Sequence, residues 1–190
     1  MNETGAAKKI DLLTKLVEEI SNKNFTPLFY SILKTKLGPM IVITDNHAVY
    51  LLEFVDRKGL ESEIHNFKKR LKAKILPRKI SIVNELEHEL NEYFSTGKSI
   101  FTVPIKMTGT NFQIKVWQEL QKIPTGETIS YQELAVRIGN KNASRAVARA
   151  NSTNKIALII PCHRVINSNG NIGGYAGGIE RKKWLLVNEK

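Results

Sequence analysis

Two kinds of hydrophobic spacing divide the N-terminal half of the chain into predicted helices and strands. Residues 6–22 repeat apolar positions every three or four residues, which predicts an amphipathic helix. Residues 28–55 carry β-branched and aromatic runs broken by LGP and TDNH, and this pattern predicts three strands of an antiparallel sheet. Residues 60–75 and 80–94 return to helical spacing. The pattern therefore predicts a small antiparallel sheet with helices.

A segment punctuated by Gly and Pro, residues 97–110, leads into a region with mostly helical spacing. Thr110 and Gln113 form a predicted capping box at the start of one helix. Ser130 and Glu133 form a second box at the start of a shorter helix. Both boxes mark positions where we expect a helix to begin.

A further short helix is predicted over residues 143–151, after a turn that contains Gly139. Two short helices joined by such a turn are typical of a helix-turn-helix. The later helix exposes Arg145 and Arg149 and is otherwise rich in alanine, so its backbone can approach another surface closely. Two interpretations stay open: a helix that contacts nucleic acid, and a core helix that needs alanine for tight packing.

The rest of the chain predicts a buried strand over residues 155–162, a glycine-rich loop over 167–178 and an amphipathic helix over 179–189. The fold class that follows is α+β, with a small N-terminal antiparallel sheet and helices, then a mostly helical C-terminal domain. We divide the chain into a helical N-terminal extension (1–25), an α/β domain (26–98) and a C-terminal domain (99–190).

Charge is distributed unevenly along the chain. The formal net charge is +11. Residues 1–100 hold 16 basic and 13 acidic residues, whereas residues 101–190 hold 13 basic and 5 acidic residues. A basic half with few acids is typical of proteins that bind a polyanion, although merely soluble basic proteins share it. The segment 68–79 has seven basic residues in twelve, which indicates a solvated helix face or an addition to a phosphate-facing surface.

Composition excludes several classes of protein. No stretch approaches the roughly 18 apolar residues needed to cross a bilayer, and the N-terminus lacks the apolar core of a signal peptide. One cysteine can form neither an internal disulfide nor, alone, a thiolate zinc site. We therefore expect a cytoplasmic protein that does not contact a membrane.

The single cysteine, Cys162, lies in the sequence IIPCHRVI. A lone cysteine is usually a small buried hydrophobe, but Pro161 should end the preceding strand and leave Cys162 at its edge, facing a cleft. His163 and Arg164 make the surroundings electropositive, which favours the thiolate. His163 can act as the base if the chain turns there or a water bridges the two side chains.

A histidine base needs an acid to orient it, and sequence spacing does not choose among the acids of the C-terminal half. These acids are Glu119, Glu127, Glu133, Glu180 and Glu189. Three function classes remain open: a thiol enzyme acting on nucleic acid, a DNA-binding regulator with an inert cysteine, and a cysteine hydrolase of small substrates.

Four motifs in order resemble the O6-alkylguanine-DNA alkyltransferase family: ISYQELA, SRAVARAN, IPCHRVI and GGYAGGIERKKWLLVNE. EYFSTGK and GTNFQIKVWQELQKIPTGETISY fit the family's usual lead-in to these motifs. Residues 28–55 fit its N-terminal sheet more loosely, and residues 1–25 have no counterpart. Ala148 departs from the glycine that the family often has there.

The resemblance implies catalytic roles for four residues. Cys162 matches the alkyl acceptor, and His163 matches the base that deprotonates it through a water. Glu189 matches the acid that orients His163. Asn154 matches a hinge residue that ties the recognition helix to the active-site segment.

It also implies residues that bind the base and the DNA. Tyr131 donates toward the leaving guanine, and Tyr175 forms a wall of the base pocket. Arg145 fills the gap left by the flipped nucleotide. Val165 and Gly173 complete the implied base pocket, and the other implied DNA contacts are Gln132, Asn140, Ala143 and Ser168.

The activity implied by the resemblance is direct-reversal DNA repair. One alkyl group passes irreversibly from O6-alkylguanine in double-stranded DNA to Cys162, without a metal or organic cofactor. O4-alkylthymine is a second candidate substrate. The protein is expected to be a monomer that can bind cooperatively along DNA. The alternative is a non-catalytic helix-turn-helix protein that binds DNA or senses lesions.

Overall fold

A computed structural model describes residues 3–18, 26–98 and 100–190. The chain divides into two compact units, which are described separately. Unit 1 is Met1–Leu90 with Thr102–Lys106, and unit 2 is Asn91–Phe101 with Met107–Lys190. The domain division predicted from the sequence pattern, at residues 98 and 99, stays a prediction.

Unit 1 is built on a four-stranded sheet. Its elements are α1 (Glu3–Glu18), β1 (Thr26–Leu33), β2 (Met40–Thr44), β3 (Val49–Phe54), α2 (Leu60–Leu71), β4 (Ala73–Pro77) and α3 (Ser81–Thr96), which ends in unit 2. The three predicted strands pair antiparallel as expected, with Ser31 opposite Val42 and Val42 opposite Leu52. β4 pairs in parallel with β1, so the sheet is mixed, in the order β3-β2-β1-β4.

The fourth strand corrects the predicted helix over 60–75. Lys72 adopts a left-handed φ of 46° directly after α2, and the chain then enters β4. In β4, Ala73 and Ile75 are buried while Lys74 between them is exposed, which is the period-two pattern of a strand. Sequence spacing hid this change because Leu71 and Ile75, four residues apart, also fit a helix.

Helices α1 and α2 cover one face of the sheet. α1 contacts α2 and β4, and its Leu13 is fully buried in a core with Leu28, Ile43 and Ile64. The predicted helix over 6–22 is present as far as residue 18, and the rest of that prediction lies outside the described residues.

Unit 2 contains α4 (Asn111–Leu120), β5 (Ile129–Ser130), α5 (Tyr131–Arg137), α6 (Ser144–Ser152), a 3₁₀ turn (Cys162–Arg164), β6 (Val165–Ile166) and α7 (Ile179–Asn188). Both predicted capping boxes are confirmed: Thr110 with Gln113 begins α4, and Ser130 with Glu133 begins α5. α5 and α6 form the predicted pair of short helices. β5 and β6 pair in parallel, which brings the start of α5 beside the 3₁₀ turn.

The predicted strand over 155–162 is wrong. These residues are largely buried but irregular: Leu158 has a φ of 71°, and the chain then turns at Cys162. The Asn154 side chain supplies hydrogen bonds that a neighbouring strand would otherwise provide, accepting from the Ile156 N–H and donating to the Ile160 carbonyl. An apolar run shows that a segment is buried, but not how its backbone hydrogen bonds are satisfied.

The last helix, α7, matches the prediction over 179–189 to within one residue and is followed by Glu189 at its C-cap. It buries Lys182 and Leu185. Across the described parts of the chain, no helix is both long and apolar enough to cross a membrane.

Candidate active site

Cys162 begins the 3₁₀ turn and lies at the edge of a cavity. Its side chain is 5% exposed and lines a cavity of about 300 Å³. The other lining residues are Tyr131, Asn151, Ser152, Gly174, Tyr175 and Ala176. The cysteine therefore borders a space between α5, α6 and the glycine-rich loop, instead of being enclosed in the hydrophobic core.

Two asparagines hold the segment that carries Cys162. Asn154 Nδ2 donates to the Ile160 carbonyl at 2.8 Å and to the Cys162 sulfur at 3.2 Å. Asn151, in α6, donates from Nδ2 to the Cys162 carbonyl at 3.2 Å. Both side chains are buried, so α6 and the turn that follows it are tied directly to the segment of the cysteine.

The 3₁₀ turn directs His163 toward the end of α7. His163 is fully buried, and its Nε2 lies 2.7 Å from Glu189 Oε1. Because an ionised carboxylate only accepts hydrogen bonds, Nε2 carries a proton and donates it to Glu189. The structure thus places one of the five candidate acids against the histidine.

Glu189 is held by more than the histidine. Arg164 donates from Nε to Oε2 at 2.8 Å and from Nη2 to Oε1 at 3.0 Å, and the Tyr93 hydroxyl donates to Oε1 at 2.6 Å. Burial alone would raise the pKa of Glu189, but the hydrogen bonds from His163, Arg164 and Tyr93 outweigh it and lower the pKa to about 2. Glu189 is therefore ionised at neutral pH.

His163 is neutral at neutral pH. Burial lowers the pKa of His163 below its usual 6.5, the charges of Arg164 and Lys182 lower it further, and only Glu189 opposes them. Its other ring nitrogen, Nδ1, is buried and has no hydrogen-bond partner among the described protein atoms. The imidazole therefore has a fixed orientation and a nitrogen that can accept a proton.

Lys182 joins α7 to the glycine-rich loop. Its Nζ donates to the Val165 carbonyl at 2.6 Å and to the Gly174 carbonyl at 3.3 Å. Burial lowers the pKa of Lys182 to about 8, and the charge of Cys162 opposes this shift. Lys182 therefore brings positive charge near the cysteine and fixes the loop that lines the cavity.

Of the four residues expected to bind the base, two line the cavity. Tyr131 and Tyr175 line the cavity, and burial together with the Cys162 charge raises the pKa of Tyr131, so its hydroxyl stays protonated. Val165 and Gly173 are not among the cavity-lining residues of the described chain. Val165 is buried in β6, and Gly173 adopts a φ of 70° in the loop.

Of the five residues expected to contact DNA, Gln132, Arg145 and Ser168 line one exposed region beside α5 and α6. A second, shallower cavity of about 260 Å³ is lined by Tyr131, Gln132, Ser144, Arg145, Ala148, Asn167 and Ser168. Gln132 bridges the two helices, donating to the Lys141 carbonyl and accepting from the Ser144 hydroxyl. Asn140 is exposed in the turn, whereas Ala143 is buried at the start of α6. Tyr131 lines both cavities and so connects this surface to Cys162.

Sequence reasoning missed four residues of this site: Tyr93, Asn151, Arg164 as a partner of Glu189, and Lys182. The sequence indicates Arg164 only as a positive charge beside Cys162. In the structure its guanidinium donates hydrogen bonds to Glu189, the Ile123 carbonyl and the Thr125 hydroxyl. Tyr93 lies 96 positions before Glu189, and no pattern in the sequence relates two residues so far apart.

Comparisons with known proteins agree with this geometry. Residues 111–190 match the family model described as 6-O-methylguanine DNA methyltransferase, DNA binding domain. The methylated-DNA–protein-cysteine methyltransferase of Shigella flexneri is 41% identical over 162 residues, covering 82% of this chain and 91% of the relative. The chain belongs to the methylated-DNA–protein-cysteine methyltransferase family.

Other members of the family extend the match to solved structures. The methylated-DNA–protein-cysteine methyltransferase of Methanosarcina acetivorans is 37% identical over 85% of this chain and 98% of its own length. A crystal structure of Mycobacterium tuberculosis OGT in complex with DNA superposes with a TM-score of 0.74 and 34% identity, covering 87% of this chain and 93% of that one. The resemblance inferred from the motifs is thus confirmed, and so is the α+β fold class.

Proposed function

We propose that this methyltransferase-family protein repairs alkylated DNA by direct reversal, transferring the alkyl group of O6-alkylguanine to Cys162 in a single irreversible turnover. The observation that carries the proposal is the position of Cys162 at an accessible cavity. The next residue in the sequence, His163, is buried and hydrogen-bonded to Glu189. Family membership supplies the reaction class, and the geometry supplies the groups that perform it.

The proton of the Cys162 thiol passes to His163. Since Nε2 is engaged by Glu189, the accepting atom is Nδ1, and a bridging water carries the proton between the two side chains. Ionised Glu189 keeps the imidazole in the correct tautomer and stabilises the imidazolium that forms. Asn154 donates a hydrogen bond to the sulfur, which favours its charged form.

The thiolate then displaces guanine from the alkyl carbon. A carbon–sulfur bond forms as the bond between carbon and O6 breaks, and the electron pair of that bond stays on the guanine. The guanine takes up a proton from water on N1, and His163 returns the thiol proton to water, so protons and charge balance. The protonated Tyr131 hydroxyl at the cavity edge donates toward the departing base and stabilises its charge. The product thioether has no route to hydrolysis in this site, so the protein acts once.

DNA engages the exposed side of α5 and α6. The guanine must leave the duplex to reach Cys162, at a cost of a few kcal/mol, and exposed Arg145 inserts into the gap it leaves. Gln132, Asn140, Ser168 and the backbone at Ala143 contact the DNA strands around it. Tyr175 closes the cavity over the flipped base, while Val165 and Gly173 shape the backbone behind the loop.

The residues that carry this chemistry all lie in the predicted C-terminal domain, residues 99–190, apart from Tyr93. We assign DNA binding and alkyl transfer to that domain and a separate α/β domain to residues 26–98. We expect one protein molecule to act per lesion, wherever the DNA is located in the cytoplasm, with neighbouring copies able to bind cooperatively.

Mass spectrometry of the protein after incubation with a duplex containing O6-methylguanine tests the proposal. We expect a gain of one methyl group for each protein molecule, located on Cys162, and none for Cys162→Ser, which still binds the duplex. A protein that only senses lesions would bind the same duplex and gain no mass. A second duplex with O4-methylthymine tests the range of substrates.

A further inference from the structure

Unit 1 contains a continuous segment with many basic residues and no acidic ones. Between Ile64 and Asn84 the sequence has seven Lys and Arg residues and no Asp or Glu. Lys68 is the buried member, and its Nζ donates to the Leu16 carbonyl, so it has a role in the fold. The six exposed members form what we call the α2–β4 basic strip: Lys69, Arg70, Lys72, Lys74, Arg78 and Lys79.

The fold places these residues along one edge of the sheet, because β4 is the edge strand and α2 leads directly into it. Lys69 and Arg70 lie in the last turn of α2, and Lys72 is the left-handed residue that leads into β4. Ala73 and Ile75 face the core, so Lys74 points to the other side of the sheet, and Arg78, four residues on, points to that same side about 13 Å away.

Two members of the strip have side-chain contacts that bear on their charge. The Arg78 guanidinium stacks 5.4 Å from the centre of the Phe29 ring, which holds the charge against the sheet. Lys79, the last residue of the strip, pairs with Glu87, which follows the segment without acids.

Charge in unit 1 is distributed unevenly along the sequence. Unit 1 contains 16 basic and 12 acidic residues, and seven of the basic ones belong to the segment without acids. The other residues of unit 1 therefore hold nine basic and 12 acidic residues, a net negative charge. Cations in the last turn of α2 compensate the helix dipole, but the cations of β4 and beyond lie outside that turn.

We propose that the α2–β4 basic strip binds the phosphate backbone of duplex DNA and is a second DNA-contacting surface, in addition to the side of α5 and α6. This inference rests on the proposed function, which makes duplex DNA the polyanion that the protein meets. Lysines bind phosphates as point charges without reading sequence, which suits a protein that must find a lesion in any sequence context.

Salt dependence of binding to a fluorescein-labelled duplex without a lesion tests the proposal, by anisotropy with the full chain. We expect Lys69→Gln, Lys72→Gln and Lys74→Gln together to make the slope of log K against log salt shallower by about 2 to 3, since each phosphate contact contributes about 0.9. The matched control replaces Lys34, Lys36 and Lys58 by Gln; these exposed lysines lie outside the strip, and both variants lose the same net charge. The control slope should change by less than about 1.

Equal slopes for the two triple variants would overturn the inference, and so would a strip variant whose binding matches the wild type at every salt concentration. With excess O6-methylguanine duplex at low salt, all three proteins should gain one methyl group, which shows that their active sites are intact. If the wild type itself fails to gain it, the proposed function fails. If the wild type gains it and the slopes are equal, the inference about the strip fails alone.

Discussion

At the scale of single residues, the Glu189 carboxylate accepts hydrogen bonds from three side chains of the site. Glu189 Oε1 accepts from His163, Tyr93 and Arg164, while Oε2 accepts from Arg164 Nε. Each hydrogen bond favours the ionised carboxylate, which is why the pKa of Glu189 falls in spite of its burial. The same charge that orients the His163 imidazole therefore also stabilises the fold.

Glu189→Gln should destabilise the protein in a manner that depends on pH. At pH 7 we expect a loss of roughly 3–5 kcal/mol in the free energy of unfolding, since buried Arg164 loses its carboxylate partner. The pKa of Glu189 is lowered from 4.5 to about 2, so its contribution is complete above pH 4.5 and is lost as the pH falls toward 2. The difference between variant and wild type, measured by urea unfolding at each pH, should shrink over that range.

Glu180→Gln is the control for this experiment, because Glu180 is exposed on the same helix and pairs only at the surface with Lys183. It should change the free energy of unfolding by no more than about 0.5 kcal/mol at any pH. A Glu189 variant that behaved like this control would contradict the account of the carboxylate given above.

At the scale of elements, the C-terminal end of α3 holds the end of α7. Tyr93 donates its hydroxyl to Glu189, and its carbonyl accepts from the Asn188 side chain. Gly97, at a φ of 73°, lies so close to α7 that an added Cβ would be 1.9 Å from the Asn188 carbonyl oxygen. Only glycine fits this close approach. The contacts of Tyr93 and Gly97 with α7 therefore explain why the EYFSTGK segment has tyrosine and glycine at these two positions.

Tyr93→Phe should slow alkyl transfer and move the acid limb of its pH profile to higher pH. Without the tyrosine hydroxyl, Glu189 Oε1 becomes a stronger acceptor for His163, so the pKa of His163 rises and less of the base is neutral at a given pH. Arg164 and Lys182, the other charges near His163, are unchanged. Single-turnover rates of Cys162 methylation between pH 5 and pH 8 measure the effect.

Tyr50→Phe is the matched control, because Tyr50 also donates to a carboxylate, Asp45, at 2.8 Å, but in unit 1. It removes the same chemical group and should leave the pH profile in place. If Tyr93→Phe lowers the rate equally at every pH, the hydroxyl supports the fold without tuning the base.

The same elements show which parts of the structure can be predicted from sequence. Capping boxes at Thr110 and Ser130 are local signals, and the structure has helices at both places. At β4 the spacing of Leu71 and Ile75 also fits a helix, so the pattern predicts a helix there. In segment 155–162 the apolar run predicts a strand because burial does not specify hydrogen-bond partners. Local patterns therefore predicted the elements best where each helix or strand carries its own end signals.

The candidate site was predictable only in part, for a related reason. Cys162 and His163 stand together in the sequence, and motif resemblance added Glu189 and Asn154. Tyr93 and Lys182 reach the site from distant segments, and only the folded chain shows that they do.

At the scale of the whole molecule, the basic excess is found in two places. The sequence alone indicated the basic C-terminal half, where Arg145 and Arg149 lie on α6. Unit 1 has a lower net charge, and its α2–β4 basic strip becomes visible only when the positions of its acids are considered as well. The net charge of unit 1 therefore does not show this strip, because a segment without acids is averaged with acid-rich segments elsewhere in the same unit.

A run of exposed cations along one edge of unit 1 has consequences for how the protein approaches DNA. The field of a polyanion attracts this edge before contact is made, which favours some orientations of the approaching protein over others. A larger fraction of collisions then begins in a usable orientation. Stopped-flow measurements should show an association rate that falls steeply with added salt, and the triple strip variant should lose more of that salt dependence than the matched lysine control does.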